Sequence, residues 1–323
     1  MAGRENQLVI EDTALTNELD TLEMKMIKKV HIVINPAAGQ PQPILNQIND
    51  ILYPAGIEWS VSITLKSGDA TRFARQAIAE GAEVIGAYGG DGTVMEVSQA
   101  VQGGHVPMAI LPGGTANLMS VELGISKKLP EAARIMIDPD SMVRYVDMGK
   151  VGDQPFMLRV GIGIAGEKVK IADRALKDKW GIMAYSIAGL KALETVPMAN
   201  YRVTVDGEEH EFEGKSCLID NAGNMGMQNV TASKSINVSD GLLDVILVRD
   251  ASVGSLIAMG KEMTGREPKP GAVEHWQARE INIECDPPQT VQVDGEVWDP
   301  TPLSASVLPA VLPILTPPTE EKS

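Results

Sequence analysis

The sequence predicts an α/β N-terminal domain built on a parallel sheet, followed by a C-terminal β-sandwich domain. Three observations carry that reading. From residue 29 to about 140, apolar runs of strand length alternate with segments of helical spacing. Beyond about residue 142, short strands follow one another through hairpin turns. The chain's 323 residues, 44% of them hydrophobic, suffice for two cores of ordinary size.

The elements follow in order. Residues 1–28 read as a weakly ordered acidic leader, with six acids and one arginine, Arg4, in the first 24 positions. Order starts with a strand over 29–34, which runs into a turn made of Asn35, Pro36, Ala37, Ala38 and Gly39. Residues 43–53 have helical spacing, and 58–64 alternates like a strand. Asp69 is placed to cap a helix over 70–80, which Gly81 ends. A buried strand over 82–88 enters Gly89, Gly90, Asp91, Gly92 and Thr93, and a helix begins at Val94. A strand over 106–111 is followed by a second Gly-rich turn, 112–117. The α/β domain therefore covers 29–145. Strands are then expected at 143–149, 155–160, 200–206, 209–213, 215–220, 242–248, 280–285 and 290–294, with one helical stretch over about 167–195. They assign a sandwich domain to 146–304 and leave a Pro-rich polar tail at 317–323.

Composition excludes several function classes. The net charge of -15 argues against a nucleic-acid partner, which needs a basic field. It also weakens broad adhesion to anionic membranes. Cys217 and Cys285 fit no metal spacing and read as buried free thiols. The four histidines are scattered singly, as surface or core residues are. No signal-peptide core is present, and no run reaches the roughly 18 apolar residues of a membrane span. The expected location is the cytoplasm, with peripheral attachment to a membrane allowed. The sequence does not give the oligomeric state, and a homodimer is compatible with it.

The chemistry concentrates in the turns. A Gly-rich turn between strand and helix offers backbone N–H groups and a helix dipole to an anion. Asp91 puts a carboxylate where phosphate would bind. That points to phosphoryl transfer, with Asp91 holding a metal, a proton or a hydroxyl. In a parallel sheet, the turns opened by Asn35, Gly89 and Gly113 share the C-terminal edge and can converge on one crevice. Thr93 and Thr115 can donate to phosphate oxygens, while Asn35 and Asn117 can serve a nucleotide or their own turns. Asp240, in Ser239-Asp240-Gly241, is either a turn residue or a hard-cation ligand. Val-Asp-Gly-Glu occurs at 205–208 and 293–296, each a natural type I′ hairpin turn. Spacing alone does not choose between them as a source of a catalytic acid. The G-x-G-x-x-G at 161–166 lacks the later acid of a dinucleotide site and reads as a closely packed turn.

Taken in order, Asn-Pro-x-x-Gly from Asn35, Gly-Gly-Asp-Gly-Thr from Gly89, Leu-Pro-Gly-Gly-Thr-Ala-Asn from Leu111, Ser-Asp-Gly-Leu-Leu-Asp from Ser239 and the second Val-Asp-Gly-Glu resemble the diacylglycerol kinase catalytic family. The likeness is nearest to its bacterial soluble lipid kinases and runs from about 29 to 315. It implies an NAD kinase- and phosphofructokinase-like nucleotide domain and a β-sandwich, with ATP between them and 305–316 returning to the first domain. It implies that Asn35, Pro36, Ala37, Ala38, Gly39, Thr64, Gly89 to Glu96, Gly114, Thr115 and Asn117 line the ATP site. Asp240 would anchor Mg²⁺ with main-chain oxygens near Asn237 and Leu242. Glu296 would be the proton acceptor, Asp294 would stand beside it, and Asp91 would position metal or nucleotide. The partner implied is a lipid acceptor reached by transient contact with a membrane surface. Lys177 to Trp180, before the apolar stretch 181–193, is a candidate for that contact. An NAD kinase and a catalytically silent nucleotide- or lipid-binding protein are the rival readings. Three positions depart from the family pattern: Met95 and Leu118 replace a usual Asn and Asp, and 231–238 lacks a usual proline. The first two bear on nucleotide preference and the third on metal geometry.

Overall fold

The computed structural model describes residues 27–39, 41–163, 196–227, 230–231, 236–249 and 273–318. The leader before 27, the helical stretch 167–195 with Lys177 to Trp180, and the tail from 319 lie outside the described residues.

The α/β half contains β1 (Lys29–Ile34), α1 (Ile44–Leu52), β2 (Glu58–Ile63), α2 (Asp69–Ala79), β3 (Val84–Gly89), α3 (Asp91–Val101), β4 (Met108–Pro112), α4 (Leu118–Glu122) and α5 (Leu129–Arg134). Strands β1 to β4 pair in parallel in the order β2-β1-β3-β4. Buried on both faces, β3 and β4 can be continuous apolar runs, which is why they stood out in the sequence. Helices α4 and α5 were not anticipated; each is a short turn of helix with little periodicity to detect.

The second half contains β5 (Met142–Val151), β6 (Gln154–Phe156), β7 (Arg159–Ile162), β8 (Ala199–Val205), β9 (Glu208–Gly214), β10 (Ser216–Asp220), β11 (Asn224–Met227) and β12 (Val230–Thr231). It continues through β13 (Leu243–Val248), β14 (Val273–Ala278), β15 (Glu280–Asp286), β16 (Val291–Val293), β17 (Glu296–Trp298) and β18 (Leu303–Thr316). One layer of the sandwich is a six-stranded sheet in the order β14-β13-β10-β7-β16-β17. The other layer, β18-β15-β8-β9, is continuous with the α/β sheet, because β18 pairs in parallel with β4 at Ile314 and Met108. Between the layers lie Val160, Ile162, Tyr201, Val203, Cys217, Ile219, Val245, Leu247, Ile281 and Ile283. Cys217 is buried and Cys285 half-buried, both as free thiols.

Two sequence expectations change. The strand expected over 155–160 splits into β6 and β7, which belong to different sheets. Met157 and Leu158 carry the chain across the sandwich between them. The expected boundary at 145/146 falls inside β5, which pairs with β18 on both sides of it. The two halves are therefore joined by a β5–β18 ribbon rather than by a linker. Its register shifts between Leu308 and Leu312, where buried Asp147 accepts hydrogen bonds from the N–H groups of Ala310 (2.6 Å) and Gly241 (2.7 Å).

Candidate active site

The turns after β1, β3 and β4 meet at the C-terminal edge of the parallel sheet. They touch through backbone. A Cβ on Gly39 would overlap the Gly113 carbonyl oxygen, and one on Gly114 would come within 2.6 Å of the Gly90 Cα. Gly113 and Gly114 donate to the Gly89 carbonyl at 2.8 and 3.1 Å. Glycine is required there because two turns approach at backbone distance.

Polar side chains lock these turns together. Asn35 Nδ2 donates to Thr93 Oγ1 (3.1 Å), and its Oδ1 accepts from Ala37 N–H (3.0 Å). Asn117, left-handed at φ 49°, donates to the Gly114 carbonyl (2.7 Å) and accepts from Gly114 N–H (3.1 Å). Of the two roles open to each asparagine, the structure shows the one that stabilises turns. Asp91 opens α3, and its Oδ1 accepts from Leu118 N–H at 2.7 Å. Burial pushes the Asp91 carboxyl above its ordinary value, and the N–H groups around the start of α4 pull it back. Asp91 thus ties the β3 turn to the β4 turn.

Asp69 does not cap α2 as expected. Gly68 is the N-cap, and Asp69 Oδ2 turns back to accept from Leu65 and Lys66 N–H (3.0 and 3.2 Å). The cap comes from another helix: Glu96 accepts from Ala70 N–H (3.0 Å) and from the Ser67 hydroxyl (3.2 Å).

These turns form one wall of a cleft of about 870 Å³, within the roughly 300–1,000 Å³ of small-molecule sites. Asn35, Pro36, Ala37, Ala38, Gly39, Thr64, Gly90, Asp91, Gly92, Thr93, Glu96, Gly114 and Thr115 line it. The opposite wall is Gln154, Pro155, Leu158, Val293, Asp294, Glu296 and Trp298. Gly89 and Asn117 lie behind the lining.

The two Val-Asp-Gly-Glu segments form twin hairpins, with Asp206 and Asp294 at φ 48° and 47° before glycines at 87° and 89°. In both, the Asp carboxylate holds distant backbone. Asp206 accepts from Arg279 and Glu280 N–H (2.9 and 2.8 Å). Asp294 accepts from Met157 N–H (2.8 Å) and from Leu158 and Arg159 N–H (both 2.9 Å). Burial raises the Asp294 carboxyl, and those three N–H groups lower it. Asp294 was expected as a catalytic residue. In the structure it clamps the crossing between β6 and β7, with both carboxylate oxygens accepting from backbone N–H groups. Only the second hairpin reaches the cleft, and Glu296 is its exposed end.

The expected metal ligands lie elsewhere. Asn237, Asp240 and Leu242 sit on the loop before β13, outside the cleft lining. Asn237 Oδ1 accepts from Arg144 (2.9 Å) and Ser239 N–H (3.2 Å), and Asp240 Oδ1 accepts from Leu242 N–H (3.0 Å). Burial raises the Asp240 carboxyl, and Asp244 and Asp147 add to the rise. Among the described residues no group of three or more His, Cys, Asp or Glu side chains could hold a metal. The loop supplies the single carboxylate, Asp240, that the expected site calls for, with its Oδ1 bonded to Leu242 N–H.

Residues 29–151 match the diacylglycerol kinase catalytic domain, and 159–316 match the YegS C-terminal NAD kinase beta sandwich-like domain. The chain belongs to the diacylglycerol kinase catalytic family. A Citrobacter koseri protein named "Probable lipid kinase YegS-like" is 30% identical over 296 residues, 89% of this chain and 95% of that one. A Mycobacterium tuberculosis protein named "Diacylglycerol kinase" is 28% identical over 300 residues, 90% of this chain and 96% of that one. A crystal structure of a diacylglycerol kinase from Bacillus anthracis superposes with a TM-score of 0.71 at 25% identity, covering 91% of this chain and 98% of that one. Family membership supports a kinase activity for the chain. No helix among the described residues is long and apolar enough to cross a membrane.

Of the chain's departures from the family pattern, Met95 lines the cleft, and Leu118 offers its N–H to Asp91. Sequence reasoning missed Lys66, Ser67, Gly68, Thr71 and Gln99 on the α/β wall. A signal for 66–68 existed, since the loop after β2 shares the sheet edge used to group the other turns. No comparable signal marked Gln154, Pro155, Leu158 and Trp298.

Proposed function

We propose that the chain is an ATP- and Mg²⁺-dependent lipid kinase acting on a lipid hydroxyl, with diacylglycerol the first acceptor to test. One observation carries this reading. Glu296 is the carboxylate on the sandwich wall that makes no hydrogen bond or ion pair with the described residues, and it shares the cleft with the Gly-rich turns. The turns would cradle the triphosphate. The lipid oxygen attacks the γ-phosphorus, the bond to the β–γ bridging oxygen breaks, and ADP leaves. Glu296 takes the hydroxyl proton. Positioning and charge neutralisation dominate such a transfer, because its transition state is loose. Mg²⁺ is usually held by substrate phosphates with one or two carboxylates, so it would come with ATP rather than fill a protein cage. Asp294 acts through the hairpin that carries Glu296.

The test is labelled ATP with Mg²⁺ against diacylglycerol, a sphingoid base, monoacylglycerol, undecaprenol and NAD. Label in a lipid supports the proposal. Label in NAD alone, or in none of them, overturns it.

A further inference from the structure

We propose that Lys66 is the polyphosphate-binding cation of the cleft and sets its preference for nucleoside di- and triphosphates over nucleosides. The inference deepens the ATP reading and rests on it. A triphosphate brings several negative charges into a chain of net charge -15. The cleft lining adds Asp91, Glu96, Asp294 and Glu296. Neutral backbone N–H groups can cradle phosphate oxygens but cannot balance that charge. Among the described residues that line the cleft, Lys66 is the one lysine, and arginine is absent.

Its setting fits the task. Lys66 follows Thr64, whose N–H is bound to the Ile34 carbonyl at 2.9 Å. Ile34 is the last residue of β1, directly before the Asn35 turn, so Lys66 stands beside the phosphate-facing turns. Its backbone is fixed by Asp69, which is buried and held by Arg72 at 2.8 Å. Lys66 is exposed, is part of the cleft lining and makes no ion pair with the described residues. A lysine with fixed backbone and free ammonium is a point charge available to a phosphate.

The test is calorimetric titration of the full chain with ATP, ADP and adenosine, for the wild type, Lys66→Met and Lys66→Arg. Loss of a charge-assisted contact predicts roughly tenfold or greater weakening of ATP and ADP in Lys66→Met, from the usual cost of such a bond. Adenosine affinity should stay unchanged, and Lys66→Arg should keep most of the ATP affinity. Unchanged ATP and ADP affinity in Lys66→Met overturns the proposal. So does equal weakening of adenosine, which would place Lys66 against the base or ribose. A wild type that binds none of the three overturns the ATP reading itself.

Discussion

Asp294→Asn separates the two roles open to that carboxylate. In the structure its Oδ2 accepts from Met157 N–H at 2.8 Å, while Oδ1 accepts from Leu158 and Arg159 N–H, both at 2.9 Å. Met157 and Leu158 are buried, at 0% and 5% exposure, so water cannot replace the lost acceptor. Asparagine tolerates the left-handed backbone and keeps one oxygen for two of the bonds. Its amide then meets the Met157 N–H donor to donor. One charge-assisted bond is lost, a cost of about 1.5–3 kcal/mol. Asp294→Ala strands all three N–H groups, so its loss should exceed that of Asp294→Asn and reach at least about 3 kcal/mol, with about 1 kcal/mol the lower bound for each stranded donor. Urea unfolding followed by circular dichroism reads both values. Turnover should fall in step with the displaced hairpin, while ATP affinity, which the proposed function puts on the other wall, should hold. The clamp reasoning is refuted if Asp294→Asn keeps wild-type stability yet loses turnover by the 10²–10⁴-fold typical of a missing general base.

Other predictions follow from the same geometry. Gly114→Ala places a Cβ 2.6 Å from the Gly90 Cα, a backbone neighbour that cannot step aside. It should cost about 1–3 kcal/mol and weaken ATP binding, and unchanged affinity by titration would count against the turn packing described. Asp220 is fully buried beside Arg159, and burial pushes its carboxyl up to about 6. A raised folded value means its contribution is present below about 3.8 and lost as pH rises through about 6. The span of about two units corresponds to about 3 kcal/mol. The difference in unfolding free energy between wild type and Asp220→Asn should therefore change between pH 4 and 7, and a difference flat across that window would contradict it.

The fold was legible where local pattern suffices. Strands β1, β3 and β4 are largely apolar runs that lead into turns containing glycine, β2 alternates, and the two Asp-Gly hairpins carry their own turn chemistry. What escaped depends on partners far along the chain. Asp294 and Met157 lie 137 residues apart, and nothing near either position announces their bond. The capping of α2 by Glu96 is equally non-local, so Asp69 looked like the cap. The 14-residue β18 contains Pro309 and Pro313, which argue against a strand, yet its bulge and its place between β4, β5 and β15 accommodate them. The candidate site divided in the same way. The turns were readable as anion sites, while the roles of Asn35, Asn117, Asp91 and Asp294 as ties between segments needed coordinates. The cation loop was read from the likeness of Ser239-Asp240-Gly241 to a motif, and the structure shows what the sequence could not, that Arg144 on β5 holds this loop through Asn237 and Ser239.

The most direct test of the central claim is single-turnover transfer of the γ-phosphoryl group from labelled ATP to diacylglycerol in mixed micelles, comparing wild type with Glu296→Gln. The account predicts labelled lipid phosphate from the wild type, a rate lower by about 10²–10⁴-fold in the variant, and equal ATP affinity in both. A wild type that labels no lipid, or a Glu296→Gln variant that transfers at the wild-type rate, would contradict it.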